Sequence, residues 1–316
     1  MKEINFLGLG FEVGQDKNGL KHSHEYVRQY FPLLRTLGLD ITDKGAITND
    51  DAHGAKVHLP HDIPAFNWAP FQEAYAKIHS LYDESKTILN WGGDHSVALA
   101  TVAAFIAKNP RGHVIWIDAH TDINLPEHSL SGNLHGMPLS ILLNVHGIAS
   151  KHFPWIEIFL KPEQLTYVGV RDLDPFEKEI TKQLGIETYT TADIREQGMT
   201  QIAKKIFAKT KNNPLHVSFD IDSLSPEHAP STGVPVHEGL TLEDIKNFGR
   251  VFSKHTGLNS VDVVEVNPSL GSFEDVFQTY FSALIFVRSL FFEGEVYDGI
   301  SRSVQTINSA SLEPSL

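Results

Sequence analysis

The chain predicts an α/β fold: a largely parallel central sheet with helices packed on both faces, in a single three-layer α/β/α domain over residues 1–316. Three observations predict it. Short apolar, β-branched runs alternate with longer amphipathic stretches, the signature of βαβ units. Five of those runs end, on their C-terminal side, in charged or turn-forming residues, and in parallel sheets that edge is where ligands bind. Finally, 316 residues with 41% hydrophobic content can bury a sizeable core, and the chain shows no repeat, low-complexity tract or long linker.

In chain order, strands are expected at Ile4–Leu9, Thr87–Trp91, His113–Ile117, Leu165–Val170, Ile186–Tyr189, Leu215–Phe219 and Val261–Val266. Each is a run of Val, Ile, Leu and aromatic residues bounded by Gly, Pro, Asp or Asn. Helical periodicity covers His22–Leu37, Phe71–Tyr82, Ser96–Ala107, Met137–Val145, Pro175–Leu184, Thr200–Ala208, Leu242–Ser253 and Val276–Phe292. The segment Thr42–Pro70, rich in Asp, His, Pro and Gly, reads as an irregular surface excursion. The polar tail Gly299–Leu316 reads as loosely ordered.

Composition narrows function before any motif is considered. A net charge of −13 argues against general nucleic-acid binding. No apolar run approaches the roughly 18 residues of a membrane span, and "MKEINFLGLG" lacks a signal peptide's basic start and long apolar core, so a cytoplasmic location with no membrane partner is expected. With no cysteine, any metal must be held by His, Asp or Glu. Most of the 17 histidines, among them His22, His24, His53, His58 and His61, sit in polar surroundings and read as surface residues.

The strand ends carry the chemistry. "HVIWI" runs into "DAHTDIN", which sets Asp118, His120 and Asp122 at i, i+2 and i+4; extended backbone would aim all three to one side. "LHVSF" runs into "DIDSLSP" with Asp220 and Asp222 at the same spacing, and His95 follows the Gly92–Gly93 turn after "TILNW". Singly, each has a plain alternative. Asp94 looks like the N-cap of "SVALATVAAFIA", His95 suits a first helical turn, and Asp220 and Asp222 could cap the turn at "SLSP". Together they are four carboxylates and two imidazoles. Unpaired, such a set would be heavily penalised in a protein interior. Two divalent ions about 3.5–4 Å apart, bridged by carboxylates, would satisfy it in geometry and charge. Oxygen-rich, sulfur-free ligation favours Mn²⁺ or a similar hard ion, and imidazole would also accept Zn²⁺, Co²⁺ or Ni²⁺.

"GGDHS", "DAHTD", "SFDIDSLSP" and "EVNPSLG", in this order, resemble the ureohydrolase family, the arginases and agmatinases, over about Gly8 to Phe292. The stretch "DAHTDINLPEHSLSGNLHGMP" is most similar to the arginases within it. The resemblance implies an arginase-like fold, two Mn²⁺ per subunit with Co²⁺ or Ni²⁺ as substitutes, and hydrolysis of L-arginine to L-ornithine and urea by attack of a metal-bridging hydroxide. One manganese would be held by His95, Asp118, Asp122 and Asp220, the other by His120, Asp118, Asp220 and Asp222. It further implies that Asn124, Ser131 and Asn133 read the substrate's α-carboxylate, and that Asp174, with Glu177 a weaker candidate, receives the α-amino group. Glu265 would pair with the guanidinium, which a bidentate carboxylate orients as well as neutralises. Asp122 would pass a proton to the leaving amine, and His135 would relay protons to solvent. A homo-oligomer, trimer or hexamer, is the family's expected assembly.

Four residues depart from the family's pattern. Val234 in "STGVP" stands where a threonine is usual, Ser225 where an aspartate is usual, and His237–Glu238 where small residues are common. They leave the metal set intact and bear on substrate orientation, rate and choice of guanidino compound. The rival readings are a ureohydrolase acting on agmatine or guanidinobutyrate, a catalytically silent metal-binding homologue, and a dinucleotide-binding oxidoreductase suggested by "GLGFEVG". The last has the wrong glycine spacing and a poor helix opening after it.

Overall fold

The computed structural model describes residues 2–49, 58, 62–63 and 67–292. The tail 299–316 lies outside the described residues, as does most of the segment 50–66. The elements run β1 (Lys2–Gly10), α1 (Ser23–Arg28), α2 (Phe31–Thr36), β2 (Leu39–Thr48), α3 (Ala69–Leu81), β3 (Thr87–Trp91), α4 (Ala98–Lys108), β4 (His113–Ile117), α5 (Pro138–Leu142) and α6 (Ile148–His152). They continue with β5 (Leu165–Val170), α7 (Pro175–Leu184), β6 (Glu187–Thr190), α8 (Thr191–Gln197), α9 (Met199–Thr210), β7 (Leu215–Asp220), α10 (Leu242–Phe252), β8 (Leu258–Val264) and α11 (Phe273–Ser289).

All eight strands form one sheet in the order β2-β1-β3-β8-β7-β4-β5-β6, and each strand pair is parallel. The predicted α/β fold with a parallel central sheet is therefore what the chain adopts. Alternation along the strands divides the core in two. Val114 and Trp116 of β4 face one apolar cluster with α3, α4 and α5; Ile115 and Ile117 face another with α9, α10 and α11. Sheets covered on both faces read as unbroken apolar runs, which is why β3, β4, β5 and β7 begin where their sequences place them.

The differences have local causes. Thr42–Thr48 is the second half of edge strand β2 and not an irregular excursion. The expected helix His22–Leu37 is two short helices, broken at Gln29–Tyr30, with Pro32 in the first turn of α2. The helix expected over Met137–Val145 stops at Leu142, because Asn144 turns into the left-handed region at φ 51°. β8 ends at Val264, two residues early, since Glu265 itself has φ 62°. Helix α11 starts at Phe273, where Ser272 and Asp275 form a capping box.

Candidate metal centre and substrate cavity

Five neighbouring strands, β3-β8-β7-β4-β5, deliver the site from their C-terminal ends. After β3 the chain turns at Gly92–Gly93. The turn is possible because Gly93 has no side chain: a Cβ there would lie 1.5 Å from the Phe11 carbonyl oxygen, which accepts the Asp94 amide at 2.9 Å. Asp94 is the cap that the sequence suggests, accepting the Ser96 amide at 2.9 Å and the Gly14 amide at 2.7 Å. The turn delivers His95 flat against Trp116, with ring centroids 3.9 Å apart and planes within 5°.

His95 Nδ1 lies 3.0 Å from Asp118 Oδ2, 3.1 Å from Asp122 Oδ2 and 3.1 Å from Asp220 Oδ2. On the other side of Asp118, His120 Nδ1 lies 3.4 Å from Asp118 Oδ1 and 3.2 Å from Asp222 Oδ2. Two groupings with metal-ligand spacing follow, His95–Asp118–Asp122 and Asp118–His120–Asp222. Asp118 belongs to both, one oxygen to each. Trp116 Nε1 donates to Asp118 Oδ2 at 2.9 Å and the His120 amide to Oδ1 at 2.7 Å, so the carboxylate's plane is set from both sides.

The convergence is real, but its cause is not the extended backbone that the spacing suggests. β4 ends at Ile117, and Asp122 sits in the left-handed region at φ 47°. Asp220 is the last residue of β7 and Asp222 lies in the single 3₁₀ turn after it, where its amide donates back to Asp220 Oδ1 at 2.8 Å. Turns, not strand pleat, aim these groups.

The donor set fits divalent cations. His95 Nε2 lies 2.8 Å from Ser218 Oγ. In the tautomer whose Nε2–H donates there, Nδ1 turns a lone pair toward three carboxylate oxygens, and in that neutral form the buried nitrogen is left without a hydrogen-bond partner. Lone pairs converge in this way around a cation. Protons can offset the same charge. Burial opposes charge on His95 and His120, yet the surrounding carboxylates outweigh it and push both imidazoles well above their ordinary value. Burial and the neighbouring Asp118 push Asp122 up to about 6, burial and Asp222 raise Asp220, and burial raises Asp222. Asp118 goes the other way, because His120 and His95 together outweigh its burial.

Above this floor opens a cavity of about 270 Å³, at the small end for ligand sites. His120, Asp122, Asp220 and Asp222 form its base; Asn124, Ser131, Asn133, His135, Asp174 and Glu177 line its walls. His95, Asp118 and Glu265 are buried beneath. Glu265 is pinned there: its Oε1 accepts the His95 amide at 3.0 Å and lies 2.9 Å from His135 Nδ1. Burial opposes charge on His135, but Glu265 outweighs it and pushes the imidazole up to about 9. On the wall, Asn124 Nδ2 donates to Asp174 Oδ2 at 2.9 Å, and Glu177 closes a capping box with Asp174 at the start of α7. Every candidate metal, catalytic and substrate-binding residue of the sequence thus meets at one place.

Of the departures from the family pattern, only Val234 lines the cavity. Ser225 is buried, with its amide bonded to the Leu240 carbonyl, and Glu238 pairs with Arg195 at the surface. Two residues went unassigned in the sequence. Asp172 lines the cavity, 3.9 Å from His120 Nε2. Arg171 donates to the carbonyls of Asp222, Ser223, Val236 and His237, clamping the turn that carries Asp222 to the loop that carries Val234. Both belong to "VRDLDP", which signals them; only their contacts assign them.

Comparison with known proteins agrees with this geometry. The arginase family model matches residues 2–291. The hepatic arginase of Aquarana catesbeiana is 34% identical over 288 residues, 86% of this chain and 87% of that protein. The solved arginase from Bacillus caldovelox superposes with a TM-score of 0.80 at 30% identity, covering 93% of this chain and 99% of its own. The Entamoeba histolytica arginase, solved in complex with L-ornithine, also scores 0.80, at 28% identity and 92% and 99% coverage. With its parallel eight-stranded sheet and the Asp/His floor at the sheet's C-terminal edge, the chain belongs to the arginase family.

Proposed function

We propose that this hydrolase cleaves the guanidinium group of L-arginine to L-ornithine and urea, with two Mn²⁺ held by the Asp/His floor. The observation that carries the reading is Asp118, whose two oxygens reach two separate histidine-centred groupings. One ion would be held by His95, Asp118, Asp122 and Asp220, the other by His120, Asp118, Asp220 and Asp222. When bound, the ions supply the positive charge that offsets four carboxylates and the acidified water that so poor an electrophile requires.

The protein's own groups do the rest. Glu265 accepts the guanidinium N–H groups and fixes its plane, so that the central carbon faces the floor. His135 must give up its contact with Glu265 as the guanidinium arrives, which leaves its imidazole free to exchange protons with solvent. Asp122 takes a proton from the attacking water and gives it to the nitrogen that leaves with ornithine as the C–N bond breaks. Asn124, Ser131 and Asn133 hold the α-carboxylate; Asp174 and Glu177 hold the α-ammonium. The Entamoeba histolytica relative of known structure carries L-ornithine, a molecule with those two groups.

No helix among the described residues is long and apolar enough to cross a membrane. A single arginase-like domain working in the cytoplasm as a trimer or hexamer, on a small-molecule substrate alone, completes the proposal. The test is metal analysis together with urea release from L-arginine and from agmatine, before and after chelation and Mn²⁺ return. Arginine should be strongly preferred, and activity should fall with chelation and recover with Mn²⁺. Preference for agmatine, which lacks the carboxylate, would overturn the arginine reading, and metal uptake without urea release would mark a silent homologue.

A further inference from the structure

We infer that His128 and Phe176 form a latch that sets this enzyme's preference for a guanidino compound bearing an α-carboxylate; the inference rests on the arginine reading above. The loop after Asn124, "LPEHSLSGN" (Leu125–Asn133), carries Ser131 and Asn133 on the cavity wall. Its backbone turns tightly on itself: the His128 and Ser129 amides donate to the Leu125 carbonyl, and Gly132, at φ 68°, donates to Ser129 Oγ. Beyond the bonds that Thr121 and the Ile123 amide make to Glu177, an inner and an outer contact join this segment to the start of α7. The inner one is the hydrogen bond from Asn124 to Asp174. The outer one is the His128 imidazole stacked on the Phe176 ring, centroids 4.2 Å apart and planes within 11°. Phe176 also packs against the apolar core, so the exposed His128 is held to a fixed point.

The two joined walls read opposite ends of one substrate. The loop side offers Asn124, Ser131 and Asn133 to a carboxylate; α7 offers Asp174 and Glu177 to an ammonium. A substrate with both groups spans the joint, and a descarboxy substrate uses only the α7 side. The stack therefore controls the distance between the two readers, and its loss should be felt by arginine alone. Neither ring touches the cavity, which makes both positioning residues.

The test uses the Mn²⁺-loaded full chain with His128→Ala, Phe176→Ala, the double variant, and His128→Phe. For each, KM and kcat are measured on L-arginine, and agmatine's affinity is taken from its inhibition of arginine hydrolysis. Expected are a rise in the arginine KM of about two- to tenfold, the range of one aromatic pair, with kcat within twofold and agmatine affinity unchanged. His128→Phe should restore the wild-type KM, and the double variant should be no worse than the worse single. Equal weakening of arginine and agmatine, an unmoved arginine KM in His128→Ala, or failure of His128→Phe to rescue overturns the latch. A wild-type enzyme that prefers agmatine overturns the reading beneath it instead, so the two failures are distinguishable.

Discussion

Glu177 gives the sharpest prediction, because its functional and structural roles pull in opposite directions. The residue is 5% exposed, and burial pushes its carboxyl from the ordinary 4.5 up to about 7. A folded-state value above the unfolded one means that the folded chain holds the extra proton between those limits. Stability therefore falls as pH rises from 4.5 through about 7, and above that the full penalty applies. At about 1.4 kcal/mol per pH unit it amounts to about 3 kcal/mol. Glu177→Gln removes the charge and keeps the shape. It also disturbs the acceptors: Oε2 takes the Asp174 amide at 2.9 Å, and Oε1 takes Thr121 Oγ1 at 3.0 Å and the Ile123 amide at 3.4 Å. The glutamine oxygen can keep the first, its NH₂ can donate to a reoriented Thr121 hydroxyl, and the long third contact is lost, at a cost of about 1 kcal/mol. The variant should be more stable than wild type by about 2 kcal/mol at pH 8 and slightly less stable at pH 4.5. Denaturant unfolding of the metal-free proteins across this range reads both values. A variant less stable by the same amount at both pH values would refute the argument, since burial of charge would then not be the cost. The same substitution should raise the arginine KM if, as proposed, the charge that destabilises the fold is also one that meets the α-ammonium.

Glu265→Gln should lower kcat/KM for arginine by about a hundredfold or more, the worth of two charge-assisted hydrogen bonds; a loss under threefold in steady-state assays would remove Glu265 from guanidinium recognition. His135, raised by Glu265 to about 9, contributes stability that is fully present below 6.5 and lost as pH rises through 9. His135→Gln should flatten that fall, worth on the order of 3 kcal/mol, in thermal melts of the metal-free protein. Chelation should lower the melting temperature by several degrees, since each ion at a thousandfold excess over its Kd is worth about 4 kcal/mol; an unchanged melt after verified metal removal would contradict the cation reading of the floor.

How much of this could be read in the sequence depended on burial. Strands β3, β4, β5 and β7 are almost wholly buried and therefore spelled as apolar runs. Edge strand β2, "LDITDKGAIT", alternates buried and exposed positions and carries Asp, Lys and Gly, so the sequence signals no strand there and its second half reads as loop. The first residues of β8, "LNS", were polar enough to hide the strand's start. Helix α8 buries only Thr191 and Ile194, too few for a periodic signal. In the site, ligand-type residues at short spacing were visible because one turn supplies several of them. Contacts across the sheet were not. Glu265 meets His135 across 130 positions, and His128 meets Phe176 from another loop; no local pattern encodes either, and only the family resemblance gave the first pair roles.

The same electrostatics makes metal uptake a proton-releasing event. The carboxylates around His95 and His120 push both imidazoles well above their ordinary value, and burial raises Asp122, Asp220 and Asp222. The folded apo chain thus stores protons where ligation needs lone pairs, and each ion must displace them. Two of the site's acids, Asp122 and Glu265, also sit at positive φ, 47° and 62°, a conformation costing about 1–3 kcal/mol each in a non-glycine residue. The covered sheet and its two apolar clusters hold them there; nothing local would. Calorimetric titration of the apo protein with Mn²⁺ at pH 7, in buffers of differing ionisation enthalpy, should show at least one proton released per chain and an affinity that rises with pH. Binding with no proton release would mean that the histidines already present free lone pairs, and that the buried acids are offset by something other than protons.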